Sequence, residues 1–143
     1  MTRASDLLST EEIRALTRAS DGRGALSLGW SVGLIVAAMA AAAIWPHPVM
    51  LALALVVIGG QQLGLAVLLH ECAHRSLFRS RRLNRWVGVF CGAAIWNDVA
   101  RYREHHIRHH TRTNQDDDPD LGLITPFPTS RAAVARKLLR DFT

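Results

Sequence analysis

Residues 24–70 read GALSLGWSVGLIVAAMAAAAIWPHPVMLALALVVIGGQQLGLAVLLH, and no Asp, Glu, Lys or Arg interrupts these 47 residues. The chain of 143 residues holds 12 acidic and 17 basic side chains, and all of them lie outside that stretch. Its averages, 49% hydrophobic and 20% charged with a mean hydropathy of +0.09, are those of an ordinary soluble domain. The distribution is not, and it excludes a simple soluble globule. By length the chain is one domain at most, or part of one.

Pro46-His47-Pro48 divides the apolar block into two runs, at about 25–45 and 49–69, of 21 residues each. At the helical rise, either run reaches roughly 30 Å, the thickness of a bilayer's hydrocarbon core. Trp30 and Trp45 lie toward the ends of the first run, where amphipathic rings favour the headgroup level. A second run follows at once, which argues against a cleaved signal peptide. Four Arg precede the hairpin, none lies in its turn, and nine fall between Arg75 and Arg112. Both hairpin ends and both termini, Thr2 and Thr143 included, are therefore expected on the cytoplasmic side, with the Pro46–Pro48 turn opposite. That makes a multi-pass integral membrane protein, expected in a bacterial inner membrane. A formal charge of +5 and a pI near 10.5 would suit nucleic acid, yet the bases flank apolar segments, the usual arrangement beside lipid headgroups, so no nucleic-acid partner is expected. The two cysteines, Cys72 and Cys91, form no CxxC pair; they exclude a disulfide scaffold and read as small apolar fillers.

Residues 1–24 form a cytoplasmic extension in which Ser9 and Glu12 have capping-box spacing, predicting a short helix through about Ala19. Trp86–Trp96 is an apolar run too short to span, which predicts an interfacial or re-entrant segment, or one packed on other helices. A helix is expected from Asp98 to Thr113 with Asp98 as cap, then a loop over Gln115–Asp120. Ser130 to Phe142 places Val134, Leu138 and Phe142 at helical spacing against Arg131, Arg136, Lys137 and Arg140, an amphipathic helix for the membrane surface. The expected fold is an all-α membrane protein: a transmembrane helical hairpin, an interfacial or re-entrant segment, then cytoplasmic helices. Residues 25–121 make its main domain and 122–143 an amphipathic segment expected to be cut short.

Six of the seven histidines fall in two clusters just outside the apolar runs. His70 and His74 are four apart and share a helical face. In His105-His106-Ile107-Arg108-His109-His110, His106 pairs with His109 and His110, and His105 with His109. Imidazole suits iron, zinc, copper or nickel, whereas magnesium and calcium want oxygen. His70-Glu71-Cys72-Ala73-His74 also has the HExxH form of a zinc protease, with Glu71 as prospective base, but such a site leaves the second cluster surplus. Two redox-active irons at a membrane face suit oxygen activation, and an aliphatic chain entering from the bilayer keeps its methylenes out of water. A membrane protein that stores or senses metal without catalysis is the non-enzymatic alternative.

The two boxes and their flanks, HECAHRSLFRSRRLN and YREHHIRHHTRTNQDDDPD, resemble the membrane-bound fatty acid desaturase family, whose hallmark is HxxxH, HxxHH and a later third histidine box. The flanking matches are Arg75, Leu77, Phe78, Leu83, Asn84, Tyr102, Arg103, Thr113, Asp118, Pro119 and Asp120, and the similarity runs from about Trp30 to Leu121. The resemblance implies that His70, His74, His106, His109 and His110 ligate a di-iron (Fe) centre that uses O2 to desaturate a lipid acyl chain. Hydroxylation or ketolation of a lipid or carotenoid is the variant chemistry. Electrons would come from ferredoxin, rubredoxin or a cytochrome b5 type donor. A second pair of spans and the third box, typical of the family, have no counterpart here. The resemblance therefore implies five of about eight ligands, the N-terminal portion of a larger enzyme, and an isolated chain expected to be inactive.

Around these ligands, Asp98, Glu104, Asp118 and Asp120 are candidates to accept ring N–H bonds, or are solvated loop charges. Tyr102 is either packed on His106 or supports it, His105 is supporting or spare, and His47 lies on the opposite side. Gln62, two four-residue steps before His70 and about 12 Å away along the helix, lines a substrate channel or bonds another helix.

Overall fold

The computed structural model describes residues 6–124 and 129–141. Among the described residues the fold is all helical: α1 Thr10–Leu16, α2 Asp21–Ile44, α3 Pro48–His74, α4 Arg81–Ala94, α5 Val99–Arg112, α6 Leu121–Ile124 and α7 Arg131–Asp141. Thr2, Phe142 and Thr143, on which parts of the sequence reading rest, lie outside the described residues.

Two compact units emerge, residues 1–103 and 104–143, the boundary falling within α5. In the first, α1 carries the expected reciprocal capping box, Ser9 Oγ accepting from Glu12 N while Glu12 Oε2 accepts from Ser9 N at 2.8 Å. It stops at Leu16, short of Ala19, because Thr17 closes it and Ser20 already caps α2. Residues 21–24, assigned by composition to the extension, are the first turn of α2.

The most apolar windows of Thr10–Ile44, which contains α2, and of Pro48–His74 have mean hydropathies of 1.9 and 2.1, and only 11% and 17% of those windows is buried. Both helices are long and apolar enough to cross a membrane. Leu26, Val36, Met39, Leu55, Val56 and Leu63 lie exposed along them. The Trp45–His47 turn folds α3 back antiparallel to α2: Ser31 is buried with its Oγ 3.1 Å from where a Cβ on Gly64 would lie, and Gly24 meets Leu77 and Phe78. Proline at the start of α3 suits its N-terminal turn, where the missing N–H has no intrahelical acceptor.

Helix α3 ends where Arg75 adopts a left-handed φ of 61°. The following turn is fastened by Asn84, whose Oδ1 accepts from Phe78 N and whose Nδ2 donates to Phe78 O at 2.6 Å and Ser80 O at 2.9 Å. Asp21 accepts from Arg79 N at 2.9 Å, tying the start of α2 to the same turn.

Ser80 caps α4, so this helix begins at charged Arg81, five residues before the apolar run that suggested it. It packs antiparallel on the last turns of α3 across Gly88 and Gly92: a Cβ at Gly88 would lie 3.1 Å from Cys72, and one at Gly92 would meet Asn97 O and Leu69. The core is small. Leu65, Leu68, Leu69 and Cys91 form it, with Val87, Ile95, Val99 and Tyr102 packed against it. Burial is thus concentrated at the end of the hairpin that carries the first histidine pair. The second unit contains the histidine-rich part of α5, the Asp118 turn, α6 and α7. In α7, Val134 and Leu138 are exposed.

Candidate metal centre

In the first unit, His70 and His74 share the face of α3 that their spacing predicts, with ring centroids 4.7 Å apart and a ring nitrogen of each within 4.8 Å of the other. The intervening Cys72 and Ala73 are buried, which holds this last turn rigidly against the rest of the unit. Glu71 Oε1 sits 3.1 Å from His70 Nδ1, while Glu71 Oε2 accepts from Ser76 Oγ at 2.7 Å. Ser76 N also donates to Glu71 O at 3.0 Å. A carboxylate on Nδ1 favours the tautomer in which Nε2 of His70 is the nitrogen that could take a metal. It also makes Glu71 an orienting partner, whereas the zinc protease reading needs it as a base facing a metal-bound water.

In the second unit, His106 Nε2 and His110 Nε2 face one another at 2.9 Å. Two imidazoles bound side by side to one metal at about 2.0–2.1 Å and a right angle hold their nitrogens about 3 Å apart, so this pair fits a shared transition metal. His109 lies one step along, its ring centroid 6.4 Å from that of His106 and 5.8 Å from that of His110. Its Nδ1 is 2.8 Å from Asp118 Oδ1 and 3.4 Å from Asp120 Oδ2. The Asp118 side chain has no solvent exposure and also accepts from Asn114 N and Asp120 N, each at 2.9 Å. The hydrogen bond from His109 above all holds the Asp118 carboxyl down to about 2, and the same bond raises the His109 imidazole. As at His70, the carboxylate on Nδ1 leaves Nε2 of His109 for a metal. Thr113 Oγ1 donates to His109 O at 2.8 Å, steadying the end of α5.

The other expected residues divide by role. Asp120 accepts from His105 Nε2 at 2.7 Å, so His105 is engaged by a carboxylate through the nitrogen distal to its backbone. Asp98 caps α5, accepting from Arg101 N at 2.8 Å, and Glu104 is exposed and paired with Arg108 at 3.5 Å; among the described residues neither is joined to a histidine. Tyr102 packs against the hydrophobic core of its unit. Gln62 is exposed on α3, and His47 caps the same helix, its Nδ1 accepting from Val49 N at 3.3 Å. Glu71 went unranked as a histidine partner. Its signal was its position beside His70, hidden by the HExxH pattern that suggests a base.

The first unit thus presents a pair of imidazoles with a carboxylate on one of them, and the second a convergent pair beside the carboxylate-held His109, nitrogen-rich donor sets suited to a transition metal such as iron and unsuited to magnesium or calcium. A family model described as fatty acid desaturase matches residues 42–143, more than half of the chain and inclusive of both histidine sets. No curated protein sequence and no solved structure gives a match.

Proposed function

Because the chain belongs to the fatty acid desaturase family, we propose that it takes part in O2-dependent, di-iron desaturation of a lipid acyl chain at the cytoplasmic face of a membrane. The observation that supports this reading best is the orientation of the ring nitrogens: Glu71 and Asp118 occupy Nδ1 of His70 and His109, and the Nε2 atoms of His106 and His110 converge.

In this reading His70, His74, His106, His109 and His110 hold iron. Two irons with about four to six ligands each need more than five imidazoles, so the remaining ligands come from outside this set and the chain acts as part of a larger enzyme. Iron supplies the one-electron chemistry that lets O2 remove hydrogen from an unactivated carbon. The chain's own residues do the positioning. Glu71 and Asp118 hold Nδ1 of His70 and His109, which turns Nε2 toward a metal and fixes the rings in direction, and the paired carboxylate of Asp120 keeps His105 aside from the ligand set.

Helices α2 and α3 cross the bilayer as a hairpin, their exposed Leu, Val and Met side chains facing lipid, and α4 lies at the interface. The arginine bias puts the histidine-bearing end on the cytoplasmic side, within reach of a ferredoxin, rubredoxin or cytochrome b5 type donor. An acyl chain reaches the site from the membrane, and α7 lies on the membrane surface with Val134 and Leu138 toward it. The test is mass spectrometry of lipids from membranes carrying the protein, supplied with NADH-driven reductant and O2. A loss of two hydrogens supports desaturation. An added oxygen replaces it with hydroxylation, and turnover with zinc alone refutes the redox reading.

A further inference from the structure

The turn that ends α4 holds a residue of an unexpected type. Trp96 N donates to Ala93 O at 3.3 Å and Asn97 N to Gly92 O at 2.8 Å, the paired bonds that close a helix over a left-handed residue. Glycine ordinarily fills that position, because a side chain there strains the backbone. Here it is Trp96, at a φ of 59°, and the residue is 98% exposed. Its ring therefore packs on almost nothing within the first unit. A bulky side chain held in a costly conformation without internal contacts calls for a contact outside the unit.

The rest of α4 identifies that contact. Arg81, Arg82 and Arg85 occupy the first turns, whereas residues 86–96, WVGVFCGAAIW, carry no charge. The exposed members of that run, Trp86, Val89, Phe90, Ala93, Ala94 and Trp96, are all apolar. A helix lying flat on a membrane divides polar from apolar around its circumference, so a change of polarity along the axis suits a helix that enters end-on. The register against α3 sets the depth. A Cβ on Gly88 would lie 3.1 Å from Cys72 and one on Gly92 3.7 Å from Leu69, so α4 descends beside the last turns of α3. Four residues beyond Gly92, Trp96 stands level with Leu65, roughly 7 Å further in than His70 at the helical rise. Asp98 turns its carboxylate to Arg101 N at 2.8 Å, and a charge so near the tip keeps it from going deeper.

We propose that the end of α4 is a wedge inserted into the lipid leaflet beside α3. Arg81, Arg82 and Arg85 remain on the aqueous side, Phe90 enters the leaflet, and Trp96 reaches the edge of the hydrocarbon. The partner is the glycerol and upper acyl region of the bilayer, where an indole is most favourable. This insertion rests on α3 crossing the membrane, and it makes α4 a re-entrant helix with its first turns at the interface.

The experiment uses the full chain in phosphatidylcholine vesicles, with one introduced cysteine carrying an NBD fluorophore; Cys72 and Cys91 are buried. The quenchers are phospholipids spin-labelled near the headgroup end or near the methyl end of the acyl chain, and aqueous iodide. Val56→Cys, midway along α3 and 73% exposed, should be quenched best by the methyl-end label, and Glu11→Cys on α1 by iodide. Trp96→Cys, a position with almost no internal contacts to lose, should be quenched by the headgroup-end label, with iodide quenching roughly threefold or more weaker than at Glu11→Cys. Depth should increase from Trp86→Cys through Phe90→Cys to Trp96→Cys. Equal depth at these three means a helix lying flat, iodide quenching at Trp96→Cys equal to that at Glu11→Cys means water, and resistance to both kinds of quencher means a protein cover; each overturns the wedge. Failure of Val56→Cys to meet lipid overturns both the wedge and the membrane hairpin, whereas quenching there without quenching at Trp96→Cys overturns the wedge alone.

Discussion

His109 donates from Nδ1 to Asp118 Oδ1 over 2.8 Å, and the carboxylate it meets has no solvent exposure. Its consequence is a defined pH window. The contribution of Asp118, whose carboxyl is lowered from 3.8 to about 2, is present above 3.8 and is lost as pH falls through about 2. The contribution of His109, raised above 6.5, is complete below 6.5 and is lost as pH rises through its folded value. The charged pair should therefore hold the 113–120 turn best between those limits. In metal-free protein, NMR titration should place His109 above 6.5, and Asp118→Asn should lower it. An unchanged His109 titration in that variant would show that the pair does not govern it.

Asn84 satisfies both backbone groups of Phe78 from a position 1% exposed. Asn84→Ala removes these partners and leaves a buried N–H and C=O unpaired, which should cost about 2–4 kcal/mol. Thermal unfolding in detergent should show the loss, with faster proteolysis between residues 75 and 80. Stability equal to wild type would mean that water replaces the amide.

Gly92 packs so closely that a Cβ there would overlap Asn97 O, a backbone atom that cannot rotate away. Gly92→Ala should destabilise the α4–α5 turn by about 1–3 kcal/mol. Gly29, with nothing within 4 Å of its would-be Cβ, should accept Ala without loss. Parallel unfolding curves for the two variants separate packing from helix propensity, since propensity alone would make both substitutions stabilising.

The two long helices were legible because an unbroken absence of charge is a one-dimensional signal. The histidine pairing was legible for a similar reason, since four-residue spacing on a helix is geometry written directly in sequence. What stayed hidden depended on burial and on backbone partners. Asp98, Glu104, Asp118 and Asp120 were equal candidates for a ring N–H bond, and only the fold shows that Asp118 is the one enclosed with His109. Asn84 bonds to backbone atoms six residues earlier, which no pattern of side chains reveals. Helix α4 began earlier than its apolar run because Ser80 caps it and arginines fill its first turn.

Cys72 and Cys91 are buried, so a single introduced cysteine can report topology with little background. His47→Cys should react with a membrane-impermeant maleimide only from the side opposite the cytoplasm. The substitution removes a helix cap, which costs about 1 kcal/mol. Reaction from the cytoplasmic side would reverse the assigned orientation.

The histidines of the two sets should behave alike in catalysis and unlike His47. Replacing His70 or His106 by Ala removes one imidazole from a convergent pair and takes a ligand nitrogen from beside its partner, His74 or His110. Insertion of α2 and α3 depends on their apolar length and not on metal, so His70→Ala and His106→Ala should reach the membrane at wild-type levels. On the proposed reading, lipid oxidation should fall below detection in both, with iron content reduced. His47→Ala should keep both activity and iron, because its ring serves the start of α3. Asp118→Asn should lie between: the five imidazoles remain, but His109 loses the anion that orients it, so a loss of about 10–100-fold in metal affinity or activity is expected. The measurements are iron analysis and lipid mass spectrometry on the same membrane preparations. Activity surviving in the double variant lacking both His70 and His106 would refute the assigned centre, whereas loss of membrane insertion in either single variant would reassign these histidines to folding.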